Sequence, residues 1–514
     1  MNKCIEVNGK NLTIQEVVEV ARQGAKIELS QEAREAIVKS RETVERLIDE
    51  GRIIYGINTG FGKFSEIAIS SKELAQLQKN LIYSDAVGAG NNSDTEVSRA
   101  IMLLRINALA KGCSGIRLET VETLVEMLNK GVHPLIREQG SVGASGDLCP
   151  LSHMVLVMMG EGEAEYNGVL LSGKEAMQMA GIEPVSLAAK EGLALINGTC
   201  VMTAVAALAV HDAYVLLRSA DIVAALTVEA LQGIVDAFDP RVHQARPHKG
   251  QIKSAQNLLN LLQGSKLTTR QGEMRVQDAY TLRCIPQIHG ASRPAMDYVR
   301  EVVEIEINSA TDNPLIFTAE GEVISGGNFH GQPVAIAMDT LGIAVAELAD
   351  VSERRIERLL NPALSNLPAF LTPTAGINDG YMVAQYAAAA LVSENKILAH
   401  PASVDSIPTC ANQEDHVSFG TIGARKARQI IRHTQRVLGT ELVCAAQGVD
   451  FHERDQEGKP RLGKGTAAAY TLLRGTVDTL ENDRILYPEI DRSQELIKSE
   501  ALLREAEKAV GEIF

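Results

Sequence analysis

Residues 140–153 read Gly-Ser-Val-Gly-Ala-Ser-Gly-Asp-Leu-Cys-Pro-Leu-Ser-His, a stretch with three glycines and three serines between two apolar segments typical of helices. Glycine is favoured where the backbone bends sharply or where another group must approach it closely. The stretch therefore predicts a tight loop that joins two helices. Gly146 also allows the backbone nitrogen after Ser145 to fold back on a preceding carbonyl group with little steric cost. Considered alone, such a cluster is more often an ordinary loop.

Composition and charge restrict the class of protein. The chain has 514 residues, of which 45% are hydrophobic and 22% are charged, as in globular proteins. Its formal net charge of −15 at pH 7 argues against nucleic acid or an anionic membrane surface as a partner. We therefore expect a small-molecule partner.

Cysteines and apolar runs bear on the expected location. The seven cysteines include no Cys-x-x-Cys pair, which favours reduced thiols in the cytoplasm and gives no zinc-site spacing. Residues 1–6 lack the apolar core of a signal peptide. The most apolar long run, residues 201–225, is interrupted by Asp212, Arg218 and Asp221, so it predicts a buried core helix rather than a membrane span.

Long alanine-rich segments dominate the second part of the chain and predict helices over residues 201–232, 334–360, 381–398 and 423–448. The chain has no tryptophan and only 4% aromatic residues, so its core must consist mainly of aliphatic side chains, which favours closely packed helices. Helices of this length are typical of a bundle of near-parallel helices. We predict a mainly α fold, with a long-helix bundle over residues 197–514 and a smaller mixed part over residues 1–196.

Two short hairpins are predicted in the N-terminal part. Residues 4–7 and 12–14 flank Asn8-Gly9, and residues 163–166 and 169–171 flank Asn167-Gly168. Asn-Gly between two short apolar runs is a strong hairpin signal, because both turn residues must adopt positive φ.

A second glycine-rich loop covers residues 55–64 and ends in Gly-Lys-Phe. A phosphate-binding P-loop needs glycine at position 57 and serine or threonine after the lysine, where this chain has Ile57 and Phe64. The pattern thus gives no nucleotide site, and we interpret the loop as one that positions Tyr55.

Four further clusters carry polar or aromatic side chains that could line a site, at residues 195–199, 277–283, 312–315 followed by 325–331, and 411–416. Asn197 interrupts an apolar helix, either as a helix cap or as a side chain of a site. Gln277, Tyr280 and Arg283 are spaced by threes, so on a helix they would share one side, either as a solvated face or as a site. Arg283 beside a tyrosine suits a carboxylate clamp, because guanidinium binds carboxylate through two parallel hydrogen bonds.

Other catalytic motifs are incomplete. Glu414 and His416 lack a spaced third ligand, so we predict no metal site. Residues 143–147 miss the Gly-x-Ser-x-Gly nucleophile elbow at its last position. The chain has no His-Glu-x-x-His, and no Gly-x-Gly-x-x-Gly after a plausible strand.

Ala144-Ser145-Gly146 with its flanks resembles the signature of the histidine and phenylalanine ammonia-lyase family, and the four further clusters resemble the same family. The resemblance implies a long-helix bundle of the fumarase/aspartase-like type. It also implies a methylidene-imidazolone, an electrophile that Ala144, Ser145 and Gly146 form by cyclisation of their own backbone, with no metal and no nucleotide. A homotetramer whose sites combine residues of several subunits is a further implication.

The resemblance also implies roles for single side chains. Elimination of ammonia from an α-amino acid must overcome a poor leaving group and a weakly acidic β-hydrogen. The electrophile would capture the substrate, and Tyr55 would remove the β-proton as a general base. Arg283 would hold the substrate carboxylate. The electrophile and the substrate would be oriented by Tyr280, Gln277 and Asn197. Phe329 would form an apolar wall of the pocket.

The chain resembles the histidine ammonia-lyases most, which implies L-histidine as substrate, urocanate as product and Glu414 as the partner of the imidazole. Besides Cys149, which stands where alanine is usual and is expected to affect packing only, two positions depart from the usual pattern. Ser84-Asp85 stands where such enzymes usually have Ser-His, and Asp379 stands where the family usually has serine. Each aspartate is equally well explained as a turn or cap residue.

A role for Asp85 in the pocket would change the expected substrate. Two carboxylates close together, Asp85 and Glu414, must share a proton or a cation. That arrangement favours protonated imidazole or another cationic side chain over phenylalanine or tyrosine. The alternatives are an ammonia-lyase for another cationic amino acid, a 2,3-aminomutase with the same apparatus, and a helical assembly protein without catalysis.

Overall fold

The computed structural model describes residues 4–454 and 458–514. The chain folds into two compact units, and each unit combines three separate segments. The first unit consists of Met1–His211, Arg300–Asp339 and Pro401–Arg425, and the second of Asp212–Val299, Thr340–His400 and Lys426–Phe514. The predicted boundary between residues 196 and 197 stays a prediction.

Helices dominate the described residues, which confirms the mainly α prediction. They are α1 (Ile14–Gln23), α2 (Gln31–Asp49), α3 (Leu74–Asp85), α4 (Thr95–Ala110), α5 (Leu118–Lys130), α6 (Leu148–Met158), α7 (Gly173–Met179), α8 (Glu191–Ile196), α9 (Cys200–Ala230), α10 (Pro240–Gln244), α11 (Lys249–Leu261), α12 (Tyr280–Arg283), α13 (Ile285–Glu306), α14 (Gln332–Leu360), α15 (Pro362–Ser365), α16 (Met382–Leu398), α17 (Gly420–Asp450), α18 (Lys464–Arg474), α19 (Tyr487–Lys498) and α20 (Ala501–Val510).

Among the described residues, short strands form four small sheets within the first unit. The strands are β1 (Cys4–Val7), β2 (Lys26–Leu29), β3 (Ala89–Asn92), β4 (Val132–Pro134), β5 (Arg137–Gln139), β6 (Glu163–Tyr166), β7 (Val169–Ser172), β8 (Leu315–Phe317) and β9 (Glu322–Ile324). The sheet orders are β1-β2, β3-β5, β4-β6-β7 and β8-β9, and only the β1-β2 pair among these is parallel.

The four predicted long helices are confirmed as α9, α14, α16 and α17. By length and composition, α9 alone among the described residues would be long and apolar enough to cross a membrane. However, 83% of its most apolar window is buried inside the protein, as expected for a core helix. Its buried alanines, such as Ala206 and Ala209, have no exposed surface and leave room for close neighbours.

The predicted hairpin at the N-terminus is wrong, because residues 12–14 do not form a strand. Thr13 instead caps α1: its hydroxyl accepts a hydrogen bond from the Glu16 N–H at 3.2 Å, and the Glu16 carboxylate accepts one from the Thr13 N–H at 3.0 Å. This capping box needs a glutamate three residues after the threonine, a signal that outweighs the Asn-Gly turn. β1 pairs instead with β2.

The second predicted hairpin is confirmed. β6 and β7 pair antiparallel, with Tyr166 opposite Val169. The two residues between them, Asn167 and Gly168, have φ values of 51° and 78°. Positive φ at both positions is what a two-residue turn of this type requires.

Candidate active site

The glycine- and serine-rich loop forms a tight bend directly before α6. Gly143 and Gly146 have φ values of 77° and 72° and bridge to each other, so the two residues between them lie at the tip of the bend. A Cβ atom on Gly146 would lie 2.1 Å from the carbonyl oxygen of Gly198, a distance that no side chain tolerates. Glycine at this position is therefore required for the close approach of the two chain segments.

Hydrogen bonds hold the bend against the segment between α8 and α9. The Gly198 N–H donates to the Ser145 carbonyl at 3.2 Å, and the Asp147 N–H donates to the Gly198 carbonyl at 2.7 Å. The Ala144 side chain is buried in a cluster with Val417 and Phe419. The loop is thus held both by main-chain hydrogen bonds and by the packing of the Ala144 side chain.

A cavity of about 670 Å³ lies beside this loop in the first unit. Six of the side chains predicted for the site line it, namely Tyr55, Ala144, Ser145, Asn197, Phe329 and Glu414. They come from five separate regions of the sequence. The 3₁₀ turn at Gly62–Phe64 packs against the one at Cys410–Asn412, which brings the loop that follows Tyr55 close to the segment before Glu414.

A second cavity, of about 200 Å³, contains Asp85 and Gly146 in its lining and shares Ser145 and Glu414 with the first. The Ser145 hydroxyl donates to Glu414 Oε1 at 3.2 Å, and the Thr409 hydroxyl donates to Oε2 at 2.7 Å. Burial raises the pKa of Asp85, its hydrogen bond from Ser84 lowers it, and the negative charge of Glu414 raises it. Asp85 therefore lies close enough to Glu414 for their charges to interact.

Tyr55 lies at the start of the second glycine-rich loop. Its phenolic oxygen accepts a weak hydrogen bond from the Gly62 N–H at 3.4 Å. Burial raises the pKa of Tyr55, the Gly62 hydrogen bond opposes this effect, and the negative charge of Glu414 adds to it. The phenol form is therefore favoured over the phenolate in this environment.

Asn197 is the first of the three residues between α8 and α9 and is 3% exposed. Its Nδ2 atom donates to Asp312 Oδ1 at 3.3 Å and to the Asn313 carbonyl at 3.0 Å. Its Oδ1 atom is buried without a hydrogen-bond partner among the described residues. A buried acceptor of this kind is costly unless another group supplies a donor.

The aromatic amino acid lyase family has a sequence model that matches residues 12–475 of this chain. The chain belongs to this family. It is 64% identical over 513 residues to histidine ammonia-lyase 2 of Fusobacterium nucleatum subsp. nucleatum, a match that covers 99% of each sequence.

Two solved structures extend the comparison. The histidine ammonia-lyase from Trypanosoma cruzi is 42% identical, with a TM-score of 0.91 over 99% of this chain and 96% of that chain. The tyrosine aminomutase from Streptomyces globisporus is 37% identical, with a TM-score of 0.93 over the full length of both chains. The family resemblance and the helical-bundle fold predicted from the sequence are thereby confirmed.

Three predicted site residues lie in the second unit, namely Gln277, Tyr280 and Arg283. The prediction that they share one helical side is wrong, because α12 begins at Tyr280 and Gln277 lies in the irregular segment before it. The Tyr280 side chain is 69% exposed, and the Arg283 guanidinium lies 4.7 Å from the centre of its ring. These side chains are not among the residues that line the cavity of the first unit, and their role stays a prediction.

Asp379 also lies in the second unit, in an exposed turn before α16. The N–H groups of Asp379 and Gly380 donate to the two carboxylate oxygens of Asp483, at 2.8 and 3.0 Å. The backbone at Asp379 is thus part of a capped turn. This placement agrees with the interpretation of that residue as a turn or cap residue.

Asp147 is a buried loop residue that was not among the predicted candidates. Its carboxylate accepts hydrogen bonds from the hydroxyls of Ser141 and Thr421 and from the N–H groups of Val201 and Met202 at the start of α9. Burial raises the pKa of Asp147, and these hydrogen bonds oppose that effect. An aspartate directly after the tripeptide, between glycines and an apolar helix, is the signal that could have identified it.

In the part of the chain that the structure describes, metal ligands are not grouped around the cavity. Within residues 4–454 and 458–514, no three side chains of His, Cys, Asp or Glu lie in an arrangement that could hold a metal ion. The linings of the two cavities include the phenol of Tyr55, the carboxylates of Asp85 and Glu414 and the amide of Asn197.

Proposed function

We propose that this chain is a carbon–nitrogen lyase that eliminates ammonia from L-histidine to give urocanate. The observation that carries the proposal is the cavity that Tyr55, Ser145, Asn197 and Glu414 line together. The names of similar proteins support the substrate, since the relative from Fusobacterium nucleatum is called histidine ammonia-lyase 2.

The residues around the bent loop fit a methylidene-imidazolone formed from Ala144, Ser145 and Gly146. Gly146 has no room for a side chain, and Asn197 offers a buried acceptor without a partner among the described residues. When formed, the group supplies an electrophile that activates the amino group of the substrate for departure. The segment Asn197–Gly198 would hold it in place through the main-chain contacts with Ser145 and Asp147.

Tyr55 would take the β-proton of the substrate. The phenolic oxygen is held by a hydrogen bond from Gly62, and the residue lines the same cavity as Ser145. The raised pKa of Tyr55 keeps the phenol protonated in the free site, so proton removal requires that the phenolate be reached first. Once formed, a phenolate of raised pKa is a stronger base.

Glu414 and Asp85 would select a cationic side chain. Both carboxylates contribute to one cavity lining, and the raised pKa of Asp85 reflects its burial and the cost of holding a second negative charge there. A protonated imidazole would relieve this repulsion and donate charge-assisted hydrogen bonds to the carboxylates. The pair would therefore favour an imidazolium over an aromatic ring without charge.

Arg283, Tyr280 and Gln277 would complete the site as ligands of the substrate carboxylate and of the electrophile. Arg283 is the natural carboxylate partner because its guanidinium offers two parallel donors. We propose that these side chains act within a homotetramer whose active sites combine several subunits. A cytoplasmic location is proposed from the seven unpaired cysteines.

A second candidate function is a lyase or 2,3-aminomutase for a different cationic amino acid. Asp85 favours it, because this carboxylate lines the cavity where a histidine was expected. An aminomutase would return ammonia to the β-carbon, so its product would be a β-amino acid rather than an unsaturated acid. Product analysis separates the two reactions.

The test combines intact mass with an assay of ammonia release. The purified chain should be lighter than its composition by two water molecules, and Ser145→Ala should abolish both this loss and the release of ammonia from L-histidine. Ser499→Ala is the matched control and should behave as the wild type. The Ser499 hydroxyl donates a hydrogen bond to the Glu495 carbonyl of α19. A wild-type chain of unmodified mass, or an active Ser145→Ala enzyme, would contradict the proposal.

The same assay over histidine, other cationic amino acids and aromatic amino acids tests the substrate. It is repeated with Asp85→His, which restores the usual residue. Faster release from another cationic amino acid than from L-histidine would favour the second candidate, and release from phenylalanine or tyrosine alone would contradict both.

A further inference from the structure

A fully buried ion pair lies behind the bent loop. Lys190 and Asp312 have no exposed side-chain surface, and Nζ lies 2.8 Å from Oδ2. Lys190 directly precedes α8 and adopts a φ of 73°, which residues other than glycine rarely adopt. Because removing two charges from water is costly, such a pair is weak evidence for a gain in stability. A strained, buried lysine therefore calls for a different role.

The other oxygen of Asp312 orients Asn197. Oδ1 accepts hydrogen bonds from Asn197 Nδ2 at 3.3 Å and from the Asn313 N–H at 2.6 Å. The Asn197 Nδ2 group also donates to the Asn313 carbonyl at 3.0 Å. Both hydrogens of the amide are thus used, and an inverted amide would set its oxygen against two acceptors. The orientation of Asn197 is therefore fixed by its buried neighbours.

The main chain of Asn197 is held as well. Arg105 is fully buried, and its guanidinium donates to the Asn197 carbonyl at 3.1 Å. The next residue, Gly198, makes the main-chain hydrogen bonds with Ser145 and Asp147. The segment Asn197–Gly198 is thus linked directly to the bent loop by main-chain hydrogen bonds.

We propose that Asp312 and Lys190 are positioning residues that act through Asn197. Lys190 Nζ donates to Asp312 Oδ2, and Asp312 Oδ1 holds the Asn197 amide with its Nδ2 group turned toward Asp312. The Asn197 Oδ1 atom is then left as an acceptor without a partner among the described residues, and Asn197 lines the same cavity as Ser145. This inference rests on the proposed function, because the ion pair would position Asn197 next to a loop that the proposed function requires to cyclise.

The Asp312→Asn variant tests the orientation of the Asn197 amide, because it changes the hydrogen-bonding groups of residue 312 and leaves its size nearly unchanged. The new amide is similar in size, but the Lys190 ammonium needs its oxygen, so its NH₂ group faces Asn197. Two NH₂ groups would then oppose each other, and the Asn197 amide is expected to invert. We expect a lower fraction of chains that have lost two waters. We also expect kcat for ammonia release to fall about tenfold or more, with a smaller change in KM, since small misplacements near reacting groups have large effects on rate.

A matched control distinguishes this effect from the loss of a buried ion pair in general. Arg355 and Glu441 in the second unit also have no exposed surface, and Arg355 Nε lies 2.5 Å from Glu441 Oε1. Glu441→Gln should lower thermal stability in a similar way, because it also leaves a buried cation without its anion. It should leave the mass loss and kcat of the folded protein unchanged.

A double variant keeps the test decisive if Asp312→Asn folds poorly. Lys190→Met/Asp312→Leu replaces the pair by apolar side chains, which often restores stability. The proposal predicts that the double variant recovers thermal stability while kcat and the fraction with lost waters stay low. Recovery of all three would show that the pair is only structural and would overturn the inference. A wild-type chain without any mass loss would instead contradict the proposed function itself.

Discussion

Under the proposed mechanism, Tyr55 would rest in the protonated form, which cannot accept a proton. It lines the cavity beside Ser145, but burial and the charge of Glu414 raise its pKa. A general base works best when its pKa lies near the working pH, so the phenolate is the minor form at neutral pH. The sign of the pH dependence follows directly, because the active base is populated as protons are removed.

We predict that kcat/KM for ammonia release rises as the pH increases from neutral toward the pKa of Tyr55. Tyr55→Phe should remove this rise and lower kcat by about 10²- to 10⁴-fold, the usual contribution of a general base. The mass loss of two waters should remain, because the Tyr55 hydroxyl is hydrogen-bonded to the Gly62 N–H and not to the tripeptide. Measurements are pH profiles of initial rates and intact mass.

The control for this prediction is Tyr83→Phe. Tyr83 is 44% exposed, and its hydroxyl donates to Glu161 outside the cavity lining. It should keep the wild-type rate and profile. A Tyr55→Phe enzyme with the wild-type pH profile would assign the base to another residue.

At the scale of single elements, the first helix shows how a short signal sets a boundary. Thr13 and Glu16 form a capping box at the start of α1, so two N–H groups that would otherwise lack partners are satisfied. The apolar side of α1, which includes Val17 and Val20, is then buried in the first unit, and α1 packs against α4. The cap decides where the helix begins, and packing keeps it in place.

We predict that Thr13→Ala weakens α1 locally by about 1 kcal/mol, the typical cost of losing such a cap. Amide hydrogens of Ile14–Gln23 should then exchange about fivefold faster, since exchange follows the free energy of local opening. Thr13→Ser keeps the hydroxyl and should exchange as the wild type. Equal exchange rates in Thr13→Ala would mean that packing alone determines this helix end.

Regular elements with a strong local signal could be predicted from the sequence. The long helices α9, α14, α16 and α17 follow from alanine-rich runs, and the β6-β7 hairpin follows from Asn167-Gly168. The parallel pairing of β1 with β2 could not be predicted in this way, because it joins residues separated by a whole helix. Local patterns carry no information about such a long-range partner.

The candidate site was predictable only in part, for a related reason. Family resemblance pointed to Tyr55, Ser145, Asn197 and Glu414, which share one cavity. Neither spacing nor residue type indicated Lys190, since lysine is usually exposed in folded proteins. Asp312 lies in the family-like cluster at residues 312–315, but no role was predicted for its side chain. Their burial is a property of the assembled unit.

At the scale of the whole molecule, Glu229 links stability to pH. This residue near the end of α9 is fully buried, and its carboxylate accepts a hydrogen bond from the Gly463 N–H at 2.7 Å. Burial raises the pKa of Glu229 to about 7 from 4.5, against the hydrogen bonds that lower it. The folded state therefore binds the proton of Glu229 more tightly than the unfolded state does.

We predict that the protein loses stability as the pH rises from about 5 to about 8, because Glu229 must give up its proton in a buried place. The stabilising proton is fully present below pH 4.5 and is lost as the pH passes about 7. The shift corresponds to about 3 kcal/mol. Glu229→Gln mimics the protonated form, so its thermal midpoint should fall less over this range than that of the wild type.

Glu161→Gln is the control, since Glu161 is an exposed glutamate of the first unit. It should follow the wild-type dependence on pH. Parallel curves for the wild type and Glu229→Gln would show that the buried carboxylate does not govern this behaviour.

The anchoring of the bent loop has a consequence for biosynthesis. The loop residue Asp147 depends on the start of α9 and on Thr421, which the ribosome adds long after Ser145. A growing polypeptide that does not yet include Thr421 lacks one of the hydrogen bonds that hold Asp147 in place. Under the proposed chemistry, the methylidene-imidazolone would then form only after most of the chain has been synthesised. Incomplete chains would therefore carry no electrophile.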